Sequence, residues 1–333
     1  MIRPAPRFDV VAIGNAIVDV VAPASDEQIV TLGLAKGGMT LIDEPRAHEL
    51  YDAMGPARAI SGGSAANTLA GLAALGARCG FVGQVAADQL GDVFAHDIRA
   101  GGIDFATPAR GGQPATARCL IFVTPDGQRT MNTFLGASQF LPAAALDDTL
   151  IADAAVLYLE GYLWDPEEPR GAMRRAIAAA RAAGREVAFT LSDAFVIARH
   201  GDDFRALIDA GQIDILFANE HELAALTGRD HFDDGIAALA GKVPTLVVTR
   251  GEKGAYAVSR GEQALVTAAP VARVIDTTGA GDLFAAGFLF GHGRGLRLET
   301  CLGLGAVCAG EIIAHYGARP EADLAALAAP LLA

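Results

Sequence analysis

Uninterrupted apolar runs alternate with helical patterns along the second half of the chain. The runs AVLYLEG, EVAFTLS, IDILFAN and TLVVTR have strand character, and alanine-rich helical patterns such as 169–183 follow them. FDVVAIG, at Phe8–Gly14, is a similar run near the start. Strands that are apolar throughout are typical of a parallel sheet covered on both faces. The pattern therefore predicts an α/β fold: one three-layer α/β/α domain with a mainly parallel sheet.

Two segments do not fit this alternation. Residues 22–60 are punctuated by glycine and proline, with a single short helical pattern at 46–54. Two β-rich runs flank Pro125-Asp126-Gly127, which is the signature of an antiparallel hairpin. We expect residues 20–60 and 113–138 to form a small β lid on a large domain of residues 1–19, 61–112 and 139–333. Helices are expected near 65–76 and 89–100, and two more at 280–291 and 297–315 are expected to close the chain.

Composition narrows the class of protein. The chain has 333 residues, 52% of them hydrophobic, and a net charge of −13, which opposes binding to nucleic acid or to anionic membranes. Acidic and amide residues interrupt the first apolar stretch, so we interpret it as a buried strand and expect a cytoplasmic protein. The four cysteines have no metal-binding spacing and are expected to be buried, reduced thiols.

The segment VIDTTGAGDLFAAG is the strongest chemical signal. It leads from a strand end through Asp276 and Thr278 to the small residues Gly279, Ala280 and Gly281, where a helix starts. Amides at a helix N-terminus bind anions, and glycine allows a close approach. Asp282 in the first turn is then placed to accept a proton from a hydroxyl that attacks a phosphoryl group. For a bare G-x-G-D, a helix cap after a tight turn would be the simpler reading, but the whole string favours phosphoryl transfer.

Other nucleotide-binding motifs are missing from the sequence. No G-x-x-x-x-G-K-[ST] string occurs, which argues against a P-loop NTPase. Gly14 lacks the further glycines of a dinucleotide fingerprint, which argues against a dehydrogenase.

Two more groups of polar residues follow predicted strands. Asn15 and Asp19, with Gly62, Gly63 and Asn67, suit hydrogen bonds to vicinal hydroxyls of a ring-shaped ligand, although a turn and a helix cap explain them equally well. Asn219 and Glu222, three residues apart at a helix start, suit Mg²⁺ held directly or through its waters. A capping box is the equal alternative there.

Two basic positions have weaker signals. Thr249, Arg250 and Gly251 leave a strand in a turn that suits a nucleotide phosphate or sugar. Arg129, in the hairpin, would reach a reacting phosphate or the bound substrate if the lid closes. Solvent-facing charges are the more common explanation for both arginines.

Six strings in order resemble the ribokinase-like family of carbohydrate and nucleoside kinases. They are GNAIVD, GGSAAN, FVGQVAADQLGDVF, NEHE, TRGEKGA and DTTGAGDLFAAG. The resemblance implies ATP as co-substrate, Mg²⁺ at Asn219 and Glu222, and Asp282 as catalytic base beside an anion hole at 279–281. It also implies that Asp19, Gly63 and Asn67 hold the acceptor's hydroxyls. A monovalent cation such as K⁺ is implied near Asp276 and Thr278.

The long stretch between Asp19 and Gly62, together with FTLSDAFVI and DILFANEHE, resembles the adenosine kinase branch. The resemblance thus implies phosphorylation of the 5′-hydroxyl of adenosine, in a monomer or a lid-mediated homodimer. Thr278 stands where that branch usually has Asn, and two alanines follow GGS where it has Thr-Gln. A sugar kinase of ribokinase or fructokinase type is therefore kept as the alternative. A binding protein without turnover is a further alternative, disfavoured by the intact GAGD string.

Overall fold

The computed structural model describes residues 5–332, which contain two β-sheets and twelve α-helices. The strands are β1 (Phe8–Ile13), β2 (Ile17–Pro23), β3 (Met39–Leu41), β4 (Arg58–Gly62), β5 (Cys79–Val82), β6 (Ile103–Phe105), β7 (Ala117–Val123), β8 (Arg129–Phe134), β9 (Ala154–Glu160), β10 (Glu186–Thr190), β11 (Ile215–Asn219), β12 (Thr245–Thr249), β13 (Ala255–Ser259) and β14 (Glu262–Val266). The helices are α1 (Asp26–Thr31), α2 (Glu44–Ala53), α3 (Ser64–Ala74), α4 (Gln89–Ala100), α5 (Asp148–Ala152), α6 (Glu167–Ala183), α7 (Ala194–Asp209), α8 (Glu220–Thr227), α9 (Phe232–Leu239), α10 (Ala280–His292), α11 (Leu298–Ile312) and α12 (Leu324–Leu332).

The larger sheet is covered by helices on both faces, as the apolar runs predicted. Its nine strands have the order β14-β13-β12-β11-β10-β9-β1-β5-β6, parallel from β12 to β6. Alternate side chains of β1 point to opposite layers, because Val10 and Ala12 join one core cluster and Val11 and Ile13 join the other. The first cluster includes residues of α3, α4, α10 and α11, and the second those of α5 to α9. The predicted three-layer α/β/α class is confirmed.

The smaller sheet stands at the carboxyl edge of the larger one. Its order is β3-β8-β7-β2-β4, and the predicted hairpin is its antiparallel β7–β8 pair. One face buries Val18, Val20, Leu120 and Phe122 in the same core cluster as side chains from α1, α2 and α4. The alternate side chains of β2 and β7 face a cavity on the other side.

The chain divides between the two sheets at slightly different residues from those expected. β2 begins at Ile17 and β4 ends at Gly62, so the smaller sheet also contains residues 17–19 and 61–62. Asp19 therefore lies on a strand of the smaller sheet. The division into a large domain and a lid stays a prediction.

Two elements were not expected from the sequence. A third helix, α12, follows the two predicted to close the chain. An antiparallel hairpin, β13–β14, extends the parallel sheet at one edge. The turn of this hairpin has positive φ at both Arg260 and Gly261, as a two-residue hairpin turn requires. The four cysteines are buried and free, as expected. Among residues 5–332, no helix combines the length and the apolar character needed to cross a bilayer.

The contact between α10 and α11 leads to a stability prediction. A Cβ added to Gly287 would lie 2.4 Å from the backbone oxygen of Leu304, so the two helices touch through their backbones. We expect Gly287→Ala to destabilise the protein by roughly 1–3 kcal/mol, because the helices must move apart. Gly171→Ala is the matched control, since its Cβ would meet nothing within 4 Å and alanine favours a helix. Urea unfolding would measure both, and equal midpoints for the two variants would contradict the close approach.

Candidate active site

A cavity of about 680 Å³ lies between the carboxyl edge of the larger sheet and the open face of the smaller one. Open α/β sheets bind ligands at this edge, where neighbouring crossover connections diverge. The order β9-β1-β5 places that divergence between β1 and β9. Side chains at or just after the ends of β1, β9, β10, β11 and β12 line the cavity, together with the start of α10.

Asp282 lies in the first turn of α10 and is held by α3. Its Oδ1 accepts a hydrogen bond from the Ser64 hydroxyl at 2.6 Å, and its Oδ2 accepts one from Asn67 Nδ2 at 3.1 Å. Burial raises the pKa of Asp282, while these two bonds and the positive charge of Arg319 oppose the rise. A carboxylate with a raised pKa is a stronger general base, and the bonds fix its orientation.

The start of α10 forms the predicted anion-binding turn. Gly279, Ala280 and Gly281 all line the cavity, and Gly279 has a φ of 79°, which favours glycine. Gly279 precedes the first turn of a 13-residue helix and has no side chain to cap it. The first amides of α10 are therefore suited to bind an anion beside the Asp282 carboxylate.

Part of the predicted hydroxyl-binding group has an unsatisfied polar atom among the described residues. Asp19 lines the cavity from β2, and Gly62 lies against its carboxylate. Burial raises the pKa of Asp19 to about 6, opposed by Arg129 and Arg319. The side-chain oxygen of Asn67 is buried and has no hydrogen-bond partner among residues 5–332. A ligand hydroxyl that donates to this oxygen would satisfy it.

Other members of that group organise the backbone. Gly63 has a φ of 97°, and a Cβ there would lie 2.2 Å from the Asn15 backbone oxygen. The Asn15 side chain is already satisfied, since its Nδ2 donates to Glu160 at 2.7 Å and its Oδ1 accepts from Ser138 at 2.8 Å. Asn15 thus lines the cavity while it bonds to neighbouring side chains, and Gly63 allows two backbones to touch.

Glu160, which was not expected as a site residue, holds these segments together. It is fully buried at the end of β9 and accepts bonds from the Asn15 amide, from Asn15 Nδ2 and from the Ala65 amide at 2.7–2.8 Å. Burial raises its pKa to about 7, against the effect of these bonds. An acidic residue that ends the apolar run AVLYLE was the available signal.

Asn219 and Glu222 form the capping box that the sequence offered as an alternative. Asn219 Oδ1 accepts from the Glu222 amide at 2.8 Å, and the Glu222 carboxylate accepts from the Asn219 amide and side chain. Both also line the cavity, and burial raises the pKa of Glu222 to about 7. Within residues 5–332 no group of three or more His, Cys, Asp or Glu is arranged to hold a metal. Oxygen donors from one or two side chains fit Mg²⁺ that keeps its waters and binds phosphate.

The turn after β12 contributes one of its three predicted residues to the cavity. Thr249 lines it, whereas Arg250 and Gly251 do not. Arg250 pairs with Glu220 at 2.8 Å, and its guanidinium lies 4.0 Å from the ring centroid of Phe232. A nucleotide contact for Arg250 and Gly251 stays a prediction.

Arg129 and Asp276 form a buried ion pair that connects the smaller sheet to the segment before α10. Their side chains are 5% and 6% exposed, and Asp276 also accepts from the amides of Thr278 at 3.0 Å and Gly317 at 3.2 Å. The pair joins the first residue of β8 to the segment that leads into α10. Thr278 lines the cavity, while Arg129 and Asp276 lie outside its lining. The phosphate or substrate contact of Arg129 and the monovalent cation at Asp276 and Thr278 stay predictions.

Two aromatic side chains and two partners of Asp282 were also missed. Tyr162 and Phe195 line the cavity with their ring centroids 6.0 Å apart. Ser64 was visible only as part of GGSAAN, and Arg319 had no motif around it. These residues come from distant parts of the chain, so spacing along the sequence did not connect them.

Comparison with known proteins identifies the family. The model of the pfkB family of carbohydrate kinases matches residues 9–324. An adenosine kinase structure from Sinorhizobium meliloti is 47% identical with a TM-score of 0.90, covering 98% of this chain and 100% of that one. A probable sugar kinase structure from Rhizobium etli CFN 42 is 45% identical with a TM-score of 0.91, covering 98% and 99%. A fructokinase from Klebsiella pneumoniae is 31% identical over 234 residues, covering 69% of this chain and 76% of that protein.

The chain belongs to the pfkB family of carbohydrate kinases, and the predicted ribokinase-like resemblance and kinase class are confirmed. It is a phosphotransferase, and the family implies ATP as co-substrate with Mg²⁺. The relatives' names include both nucleoside and sugar kinases, so family membership leaves the acceptor open.

The buried ion pair yields a second prediction. Arg129→Met should destabilise the protein by about 3–5 kcal/mol, because Asp276 would stay buried without its counter-ion. The double variant Arg129→Met/Asp276→Asn should recover part of that loss. Arg7→Met is the control, since Arg7 pairs with Asp104 at the surface, where both side chains are more than half exposed. Equal urea midpoints for Arg7→Met and Arg129→Met would show that the buried pair stabilises nothing.

Proposed function

We propose that this protein transfers the γ-phosphate of Mg-ATP to the 5′-hydroxyl of a nucleoside, with adenosine as the first candidate. Asp282, the start of α10, and the pair Asp19 and Asn67 line one cavity, which supports an attacking hydroxyl, a transferring phosphate and a ribose in the same space. Residue roles are part of this proposal.

Asp282 is the general base of the proposed reaction. It takes the proton of the 5′-hydroxyl as the oxygen–phosphorus bond forms and the bond to the leaving ADP breaks. The first amides of α10 stabilise the charge that develops on the phosphate, at roughly 2.7–4 kcal/mol for each donor lost. Bound Mg²⁺ would further neutralise the phosphate charge, and Glu222 and Asn219, which line the cavity, would hold it directly or through its waters.

The aromatic pair is the observation that favours a nucleoside over a free sugar. Tyr162 and Phe195 line the cavity, and the lid contributes Met39 and Leu41, which are 41% and 46% exposed. A nucleobase offers a flat face to such rings, and stacking of one base on an aromatic ring contributes about 1–3 kcal/mol. A free sugar would leave more of this apolar surface in contact with water.

Charge in the cavity argues against an anionic acceptor. Among the described residues that line it there is no Lys, Arg or His, so sugar phosphates and sugar acids would meet like charge. The lining carboxylates are those of Asp19, Glu160, Asp165, Asp193, Glu222 and Asp282.

A neutral sugar remains the second candidate acceptor. The similarity to the Klebsiella pneumoniae fructokinase and to the Rhizobium etli probable sugar kinase favours it. Asp19 and Asn67 would bind the hydroxyls of either acceptor, so the choice depends on the part of the cavity beyond them.

ADP release from Mg-ATP with separate acceptors tests the proposal. Adenosine should give turnover, fructose and ribose much less, and fructose 6-phosphate and gluconate none.

Asp282→Asn should lower kcat by roughly 10²–10⁴-fold, because no base remains to take the proton. Asp230→Asn, at an exposed position, is the control. Turnover with fructose alone would establish the sugar kinase, and near-normal kcat in Asp282→Asn would remove Asp282 as the base.

The contribution of the aromatic pair, Tyr162 and Phe195, can be tested separately. Phe195→Ala should raise KM for adenosine by roughly 5- to 150-fold, which corresponds to the loss of about 1–3 kcal/mol of stacking. Phe195→Leu keeps an apolar side chain, so its KM for adenosine should lie between those of the wild type and Phe195→Ala. Neither change should alter KM for ATP. An unchanged KM for adenosine in both variants would show that the adenine ring binds away from Phe195.

We propose that the protein is a monomer rather than a lid-mediated homodimer. The face of the smaller sheet that points away from the cavity is covered by α1, α2 and α4, so within residues 5–332 this face offers no apolar sheet surface to a second copy. Light scattering should give the mass of one chain at micromolar concentration. A mass of two chains that reverts to one in a lid variant would support the homodimer instead.

A further inference from the structure

Three consecutive residues after α11 contact both the segment that leads into α10 and the turn that precedes α3. The Gly317 amide donates to Asp276 Oδ2 at 3.2 Å, before the anion-binding turn. Ala318 packs so closely on Gly279 that a Cβ added to this glycine would lie 2.8 Å from the Ala318 Cβ. Arg319 reaches the turn between β4 and α3. The segment Gly317–Arg319 therefore contacts both walls between which Asp282 lies.

Arg319 forms hydrogen bonds at both ends of the β4–α3 turn. Its Nε donates to the Ser61 backbone oxygen at 2.9 Å and its Nη2 to the Ser61 hydroxyl at 3.1 Å. Its Nη1 donates to the Ala66 backbone oxygen at 2.7 Å. The residues between these contacts include Gly62, Gly63 and Ser64. A planar guanidinium makes such divergent bonds at once, which a lysine ammonium cannot do in the same way.

The start of α3 is held by distant parts of the chain, since α3 has no side-chain cap of its own. Gly63 is the N-cap residue of α3 and offers no side chain to the first amides. Glu160 accepts from the Ala65 amide on one side, and Arg319 binds carbonyl oxygens on the other. Ser64, which holds Asp282 at 2.6 Å, lies between them.

The charge of Arg319 is not matched by a direct ion pair. All three of its acceptors are neutral, and the carboxylates of Asp19, Asp282 and Asp97 act on it through space. Burial lowers the pKa of Arg319 to about 10, so it stays charged at neutral pH. Its positive charge in turn lowers the pKa of Asp19 and of Asp282. The other titratable groups that interact with these three are Asp97, Cys119, Arg129, Tyr158, Glu160, Tyr162 and Asp276.

We propose that Arg319 is a positioning residue for phosphoryl transfer: it holds the β4–α3 turn from which Ser64 orients Asp282, and its guanidinium adds positive charge near the carboxylates of Asp19 and Asp282. This inference rests on the proposed function, in which Asp282 is the general base. Arg319 touches neither phosphate nor acceptor in this role.

Two variants separate its charge from its geometry. Arg319→Met removes both, and should move the acid limb of kcat/KM upward by about one pH unit, because Asp282 loses a nearby opposite charge. Arg319→Lys keeps the charge, so the acid limb should stay near that of the wild type while KM for the acceptor rises. Arg297→Met is the control, since Arg297 is 79% exposed in the same part of the chain.

A readout without turnover keeps this inference distinct from the proposed function. Carboxyl ¹³C resonances of aspartate-labelled protein, assigned with Asp19→Asn and Asp282→Asn, report the ionisation of both groups directly. In Arg319→Met both midpoints should rise by about one pH unit. If the wild type releases no ADP with any acceptor, the proposed function fails, and the resonances still test the role of Arg319.

Two results would overturn the proposal. A folded Arg319→Met protein with wild-type carboxyl midpoints and an unmoved acid limb would reduce Arg319 to a structural residue. If Arg319→Met does not fold, Arg319→Lys decides, because wild-type values of both kcat and KM in that variant would show that the three hydrogen bonds position nothing.

Discussion

The buried carboxylate of Glu160 is the contact on which the arrangement of the site depends. A carboxylate without solvent must find hydrogen-bond donors, and here they come from the residue after β1 and from the first turn of α3. Residues about a hundred or more positions apart in the sequence are thereby joined at the divergence between β1 and β9. Because α3 is held there, Ser64 and Asn67 face the start of α10 and orient Asp282.

The same arrangement places several buried carboxylates in one cavity. Asp19, Glu160, Glu222 and Asp282 all have a raised pKa, since burial opposes their charged forms. Positive charge lies just outside the cavity lining, at residues 129 and 319, rather than within it. Such a site disfavours anions unless a helix N-terminus or a cation receives them. The start of α10 is such a helix N-terminus, and Mg²⁺ bound to the nucleotide is such a cation.

Much of the fold was predictable because strand burial and helical spacing leave a periodic signal. The strands β1, β9, β10, β11 and β12 and the segment 276–282 were identified from such patterns and from small residues at a helix start. The β13–β14 hairpin and α12 were not expected, and neither was the extent of β2 and β4 at their ends, since edge elements have weaker patterns. Arg250 and Asn219 illustrate a different limit. Each motif fits two explanations, and the structure shows a partly buried ion pair with Glu220 for Arg250 and a capping box with Glu222 for Asn219.

By itself the sequence determined the layered fold, the class of chemistry and the position of Asp282, because these depend on residues that are neighbours along the chain. Only the tertiary structure decided which side chains hold Asp282, that Glu160 joins β1 to α3, and that Tyr162 and Phe195 line the same cavity. These contacts join segments far apart in the sequence, and no periodicity connects them. Arg319 is the clearest case: it carries no motif, and its role follows from where the chain returns after α11.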